Sequence, residues 1–141
     1  MHLVGSHYLG DNAQGEIGTM WMKEFIPREH EITGRVSPDE SYGWSWMDES
    51  TPEGQFHYLA AFATEVDATV PEGMRSVSLP ARRYAVFEHV GSLDTLKDSI
   101  MGAFDTLGKS GKVSSGGVLE VYGPRFGDGA DSLVELWIPV G

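Results

Sequence analysis

"RRYAVFEHVGSLDTLKDSIMGAFDTLG" (Arg82–Gly108) changes character at Gly91. Up to Val90 it is dense in β-branched and aromatic residues and reads as a strand. Beyond it, Leu93, Leu96, Ile100, Phe104 and Leu107 recur at helical spacing. Ser92 is placed to cap that helix, Asp94 falls in its first turn, and Gly108 stands where a C-terminal glycine belongs. Toward the C-terminus follow "GGVLEVYGPRF" (Gly116–Phe126), a turn at "GDGAD", and "SLVELWIPV" (Ser132–Val140). The order is strand, helix, strand, strand.

The same order precedes it. His2–Gly10 reads as a strand. "AQGEIGTMWMKEFI" places Ile17, Met20, Trp21 and Phe25 at helical spacing, and Pro27 is expected to end or kink that helix. "YGWSWMD" (Tyr42–Asp48) alternates with period two, "STPEGQ" is a turn, and "FHYLAAFATEV" (Phe56–Val66) completes a hairpin. "PEGM" (Pro71–Met74) reads as a loop, and the second copy begins near residue 76. The halves, about 1–70 and 76–141, share a pattern and little residue identity. We therefore expect one α+β domain over 1–141, with the duplicated unit related by a pseudo-two-fold axis. One antiparallel sheet would carry two helices, and a cleft lined by both halves is the default site.

The totals narrow the function. The 141 residues suffice for one core, with 40% hydrophobic and 22% charged residues. No cysteine is present, which removes disulfides, thiol catalysis and cysteine metal sites. No signal peptide and no membrane-spanning run is evident, so a soluble, cytoplasmic chain is expected. The formal net charge of −11 argues against direct binding of nucleic acid, which needs a cationic face. The acidic surface reads first as a solubility device.

Two strands carry a carboxylate inside an apolar run. In "LEVY", Glu120 shares a face with Tyr122, while Leu119 and Val121 share the other. In "LVELWIPV", Glu135 shares a face with Trp137. A charge in a half-buried strand is costly without a partner. For Glu120 the partner is an internal Arg or Tyr, solvent, or a cation from outside the chain. Trp21, Tyr42, Trp44, Trp46, Phe104 and Trp137 each have a core reading beside a ligand reading.

The phrases "MWMKEF", "YGWS", "FHYLAAFATEV" with "PEGM", "YAVFEHVGS", "LEVYGPRF" and "ELWIPV" stand in an order that resembles the GyrI-like family. This is the effector-binding domain of some AraC-type and MerR-type multidrug transcription regulators. The resemblance spans nearly the whole chain. It implies two strand–helix–strand–strand units and a pocket for lipophilic, cationic aromatic small molecules. In that pocket Glu120 of the "E-x-Y" strand would supply the counter-charge. Tyr122, Trp137, Trp21 and Tyr42 would supply aromatic surfaces, with Trp44, Phe104 and Glu135 as further candidates. The regulators' helix-turn-helix part has no counterpart within these residues. Relatives that open cyclopropane-containing toxins offer an enzyme alternative, a hydrolase with Glu120 as general base. Others act as gyrase-inhibitor-type interaction proteins. No cofactor and no metal is expected.

Other apparent motifs fail. "AFDTLGKS" (Ala103–Ser110) lacks the first P-loop glycine and ends a helix rather than opening one. "GDGAD" lacks the acidic spacing of a calcium loop. The five histidines show no metal-ligand spacing, and His57 reads as solvent-facing or as a core partner. No G-x-S-x-G elbow occurs.

Overall fold

The computed structural model describes residues 1–112, 114, 117–127 and 129–140. Seven strands form one sheet: β1 (His2–Gly10), β2 (Ser41–Trp46), β3 (Phe56–Thr64), β4 (Arg75–Ser78), β5 (Arg83–Val90), β6 (Val118–Tyr122) and β7 (Leu133–Val140). Their order is β4-β1-β3-β2-β6-β7-β5, and every pairing between strands is antiparallel. Exchanging β1, β2 and β3 for β5, β6 and β7 reverses the order about the β2–β6 seam. That is the expected pseudo-two-fold duplication, with the expected hairpin of β2 and β3.

Strand β4 was not expected. Its four residues are mostly exposed, so they carry little hydrophobic signal, yet they pair with the first residues of β1. The predicted strands at 116–126 and 56–66 shorten at their ends, and Gly116 and Asp128 lie outside the described residues.

The first helix covers 16–31 and does not stop at Pro27. It is α-helical over Glu16–Met20, π-helical over Trp21–Phe25 and α-helical again over Ile26–Arg28, with a 3-10 turn at Glu29–Glu31. In a regular helix the Pro27 ring would press on the carbonyl of Lys23. The wide turn before it, where the Ile26 amide donates to Trp21 O, accommodates the ring without ending the helix.

The second helix, Leu96–Lys109, follows a 3-10 turn at Leu93–Thr95 whose cap is Ser92; its hydroxyl accepts from the Asp94 amide at 3.1 Å. The glycine that ends this helix is Gly111, not Gly108. Gly111 has φ +76°. Its amide donates to Gly108 O at 3.2 Å and the Lys112 amide to Leu107 O at 3.1 Å, the two bonds of a Schellman motif.

Each helix covers its own half on one face of the sheet. Met20, Phe25 and Ile32 pack on Val4, Tyr58, Ala60 and Phe62. Ala103 and Leu107 pack on Val118 and Ile138. His89 of β5 accepts from Ser99 and donates to Ser92 O, both at 2.7 Å, which ties that strand to the helix start.

The back face holds its own core of Leu3, Tyr42, Trp44, Leu59, Leu119 and Val121. Its closure follows from chain length. Ser78 and Arg83 sit on opposite edges of the sheet, six inter-strand gaps or about 29 Å apart if it were flat. Five Cα steps reach at most about 18 Å. The sheet must therefore coil until these corners approach. Leu79, buried in the back-face core, shows that the link crosses this face.

Candidate functional site

Neither helix reaches over the β2–β6 seam. There a cavity of about 620 Å³ opens between the helices. Its floor is Ser45, Tyr58, Val118, Glu120 and Tyr122. Ile17 and Trp21 of the first helix form one wall, and Leu96, Ile100, Met101 and Phe104 of the second form the other. The cleft between duplicated halves is thus where the sequence placed it.

Glu120 lies at the bottom, 6% exposed. Its Oε1 accepts from the Tyr58 hydroxyl at 3.0 Å and from the Tyr122 hydroxyl at 2.5 Å. Tyr58 in turn accepts from Trp21 Nε1–H at 3.1 Å. The internal partners foreseen for Glu120 are therefore tyrosines. They are neutral: burial pushes both phenols well above their ordinary range, and the nearby Glu120 charge raises them further. Among the described residues no ion pair reaches Glu120. Burial raises its carboxyl above the usual carboxylate range, and the two hydroxyls only partly oppose this. The site thus holds a carboxyl group that is hydrogen-bonded and, among the described residues, has no ion-pair partner.

Gly43 makes this arrangement possible. It pairs directly with Glu120 and Ala60. A Cβ built there would lie 2.0 Å from the Tyr58 hydroxyl and 2.8 Å from Glu120 Oε1. The missing side chain is the space in which the two polar groups meet. Aromatic rings extend the wall: Trp21 stands edge-on to Tyr122 at 5.6 Å, and Tyr122 to Phe126 at 4.9 Å.

Of the eight residues expected at the site, Glu120, Tyr122, Trp21 and Phe104 line this cavity. Tyr42, Trp44, Glu135 and Trp137 do not. Register sets Glu120 opposite Leu136 and Gly43, so Glu135 and Trp137 project from the back face, as do Tyr42 and Trp44. Tyr42 and Trp44 are buried there, Trp137 packs against the same core, and its Nε1–H donates to Glu135 at 3.1 Å. The expected single group of aromatics and carboxylates is divided between two faces.

Tyr58 and Gly43 were not foreseen. A tyrosine inside the nearly unbroken apolar run "YLAAFA" and a glycine inside "YGWSW" were their signals: a buried hydroxyl needs a partner, and a mid-strand glycine marks close approach. The apolar stripe of the second helix divides between core and cavity. Leu93 and Phe104 are exposed and line the cavity, while Ala103 and Leu107 are buried.

Residues 1–140 match the family model of Cass2, the integron-associated effector binding protein. The chain belongs to the Cass2 family. The transcriptional regulator BrlR of Pseudomonas aeruginosa is 39% identical over 142 residues, which is 98% of this chain and 51% of BrlR. The chain therefore spans about half the length of that curated relative. Among solved structures, SAV2435 bound to tetraphenylphosphonium superposes with a TM-score of 0.71 at 17% identity, covering 100% of this chain and 88% of that one. A putative transcription regulation protein of Staphylococcus aureus gives 0.71 at 16% identity, covering 99% and 92%. The integron cassette protein VCH_CASS2 of Vibrio cholerae gives 0.65 at 17%, covering 100% and 90%. These likenesses establish the α+β fold, and the family assigns this Cass2 member to effector binding.

Proposed function

We propose that this protein binds lipophilic, cationic aromatic small molecules in the cavity at the β2–β6 seam, with Glu120 as the counter-charge. The observation that carries this reading is the make-up of the floor: a buried glutamate, Glu120, whose hydrogen-bond partners are two tyrosine hydroxyls and no cation. Two hydroxyls hold its Oε1, and among the described residues no ion pair offsets its charge, so a cation gains more there than a neutral molecule of the same shape. Trp21 and Tyr122 offer ring surfaces for cation–π contact, worth about 0.5–2 kcal/mol each. The walls of leucine, isoleucine, methionine and phenylalanine suit a large apolar body, and methionine adapts to more than one shape. That a structural neighbour is seen with tetraphenylphosphonium supports the chemical class.

The test compares two ions of one shape and opposite sign. Tetraphenylphosphonium should quench tryptophan fluorescence saturably, and tetraphenylborate should not. Glu120→Gln should weaken phosphonium binding by about tenfold or more, the equivalent of losing one charged contact of about 1.5–3 kcal/mol. Equal affinity for the two ions in the wild type would overturn the proposal.

A further inference from the structure

On the back face of the sheet two histidines meet. His7 of β1 and His57 of β3 stack at 5.1 Å, with His7 Nε2 2.8 Å from His57 Nδ1. Arg75 of β4 brings Nη1 within 3.3 Å of the same His7 Nε2. A guanidinium nitrogen has protons to give and no lone pair to offer. With Arg75 as donor, His7 Nε2 is the acceptor, its one lone pair shared between Arg75 and His57 Nδ1–H. This assigns both tautomers: His7 and His57 each carry their proton on Nδ1, and His57 Nε2 is bare.

That bare nitrogen is unusual. His57 is 6% exposed, and Nε2 has no hydrogen-bond partner among the described residues. It faces Asp48 Oδ1 at 3.8 Å. A buried lone pair aimed at a carboxylate is an unmade bond. One proton would turn it into an ion pair with Asp48 and leave the bond to His7 intact.

We propose that His57 Nε2 is a proton-binding site that, when filled, latches the β2–β3 loop through Asp48. The groups facing the ring come from four elements: His7 from β1, Trp46 of β2 stacked at 4.9 Å, Arg75 from β4, and Asp48 from the loop. Asp48 and the stacked indole face of Trp46 favour a positive charge, and Arg75 opposes it. Burial, Arg75 and His57 all disfavour the cation of His7. Asp48 is already the organising residue of the loop: its Oδ1 accepts from the Ser50 amide at 2.9 Å, the Ser50 hydroxyl at 2.6 Å and the Thr51 hydroxyl at 3.2 Å. These bonds hold its carboxyl below the usual range, so it is ionised when the proton arrives. Met47 and Phe56, which bound the loop, both line the cavity. The latch thus sits beside the cavity mouth, and it stands whether or not the cavity takes a cation.

Long-range ¹H–¹⁵N correlation of the ring nitrogens in the full chain tests this. At pH 8 both histidines should show the Nδ1–H tautomer. As acid is added, the amides of Ser50 and Thr51 should move in step with the His57 ring nitrogens. That loop response should be lost in Asp48→Asn and in His57→Gln. An Nε2–H tautomer at His57, or loop amides that ignore the His57 ring, would each overturn the proposal. The tautomer reading uses the wild type, so it holds even if a variant folds poorly.

Discussion

Glu120 costs the empty protein stability. Its carboxyl is raised above the ordinary value by burial, so the folded chain binds that proton more tightly than the unfolded chain. Between the ordinary carboxylate value and the raised one, stability falls as pH rises, and the loss persists above. Glu120→Gln removes the term while Oε1 can still accept from both tyrosines. The variant should melt above the wild type at pH 8, with the gap closing toward pH 4; a scan of melting temperature against pH checks this. For cation binding the sign is opposite, and affinity should fall as acid fills Glu120. Gly43→Ala acts on the same groups. Its Cβ would meet the Tyr58 hydroxyl at 2.0 Å, so we expect about 1–3 kcal/mol of overpacking and weaker tetraphenylphosphonium binding, measured by urea unfolding and fluorescence. Glu120 and Tyr122 were legible because alternation within one strand sets which residues share a face. Tyr58 was not, because its partner lies 62 residues away.

The helices were legible in position but not in their ends. Stripe, cap and turn residues act over a few positions, and these placed the Ser92 cap correctly. Gly108 and Gly111 are both candidate stop signals by composition. Only the backbone conformation separates them, with Gly111 in the left-handed region. Nothing crowds Gly111, so Gly111→Ala should cost about 1–2 kcal/mol through conformation alone, while Gly108→Ala should be neutral or stabilising. Thermal melts of the two variants distinguish them. In the first helix the wide turn at Trp21–Phe25 arises where proline sterics meet continued packing of Phe25 and Ile32. Trp21 opens that turn and reaches Tyr58, so an adjustment forced by Pro27 also shapes the cavity wall.

The sheet is closed by the four residues 79–82, which join its two edges. Leu79→Ala should cost about 2–5 kcal/mol by emptying a buried position. Four Gly/Ser residues inserted between Ala81 and Arg82 should cost under about 1 kcal/mol, because loop entropy grows slowly with length. Urea unfolding of both variants separates burial from reach. Elements, their order and the duplicated pattern could be read directly, since periodicity and turn chemistry belong to neighbours along the chain. So could part of the cavity floor, once Glu120 and Tyr122 were seen to share a strand face. The division of Glu120 from Glu135 and Trp137 could not be read. A shift of one residue between β6 and β7 would have put all three on one face. No local residue marks that register. It comes from pairing between strands far apart in the chain, and from the coiling that encloses Tyr42, Trp44 and Leu119 on the back face while leaving the β2–β6 seam open between the helices.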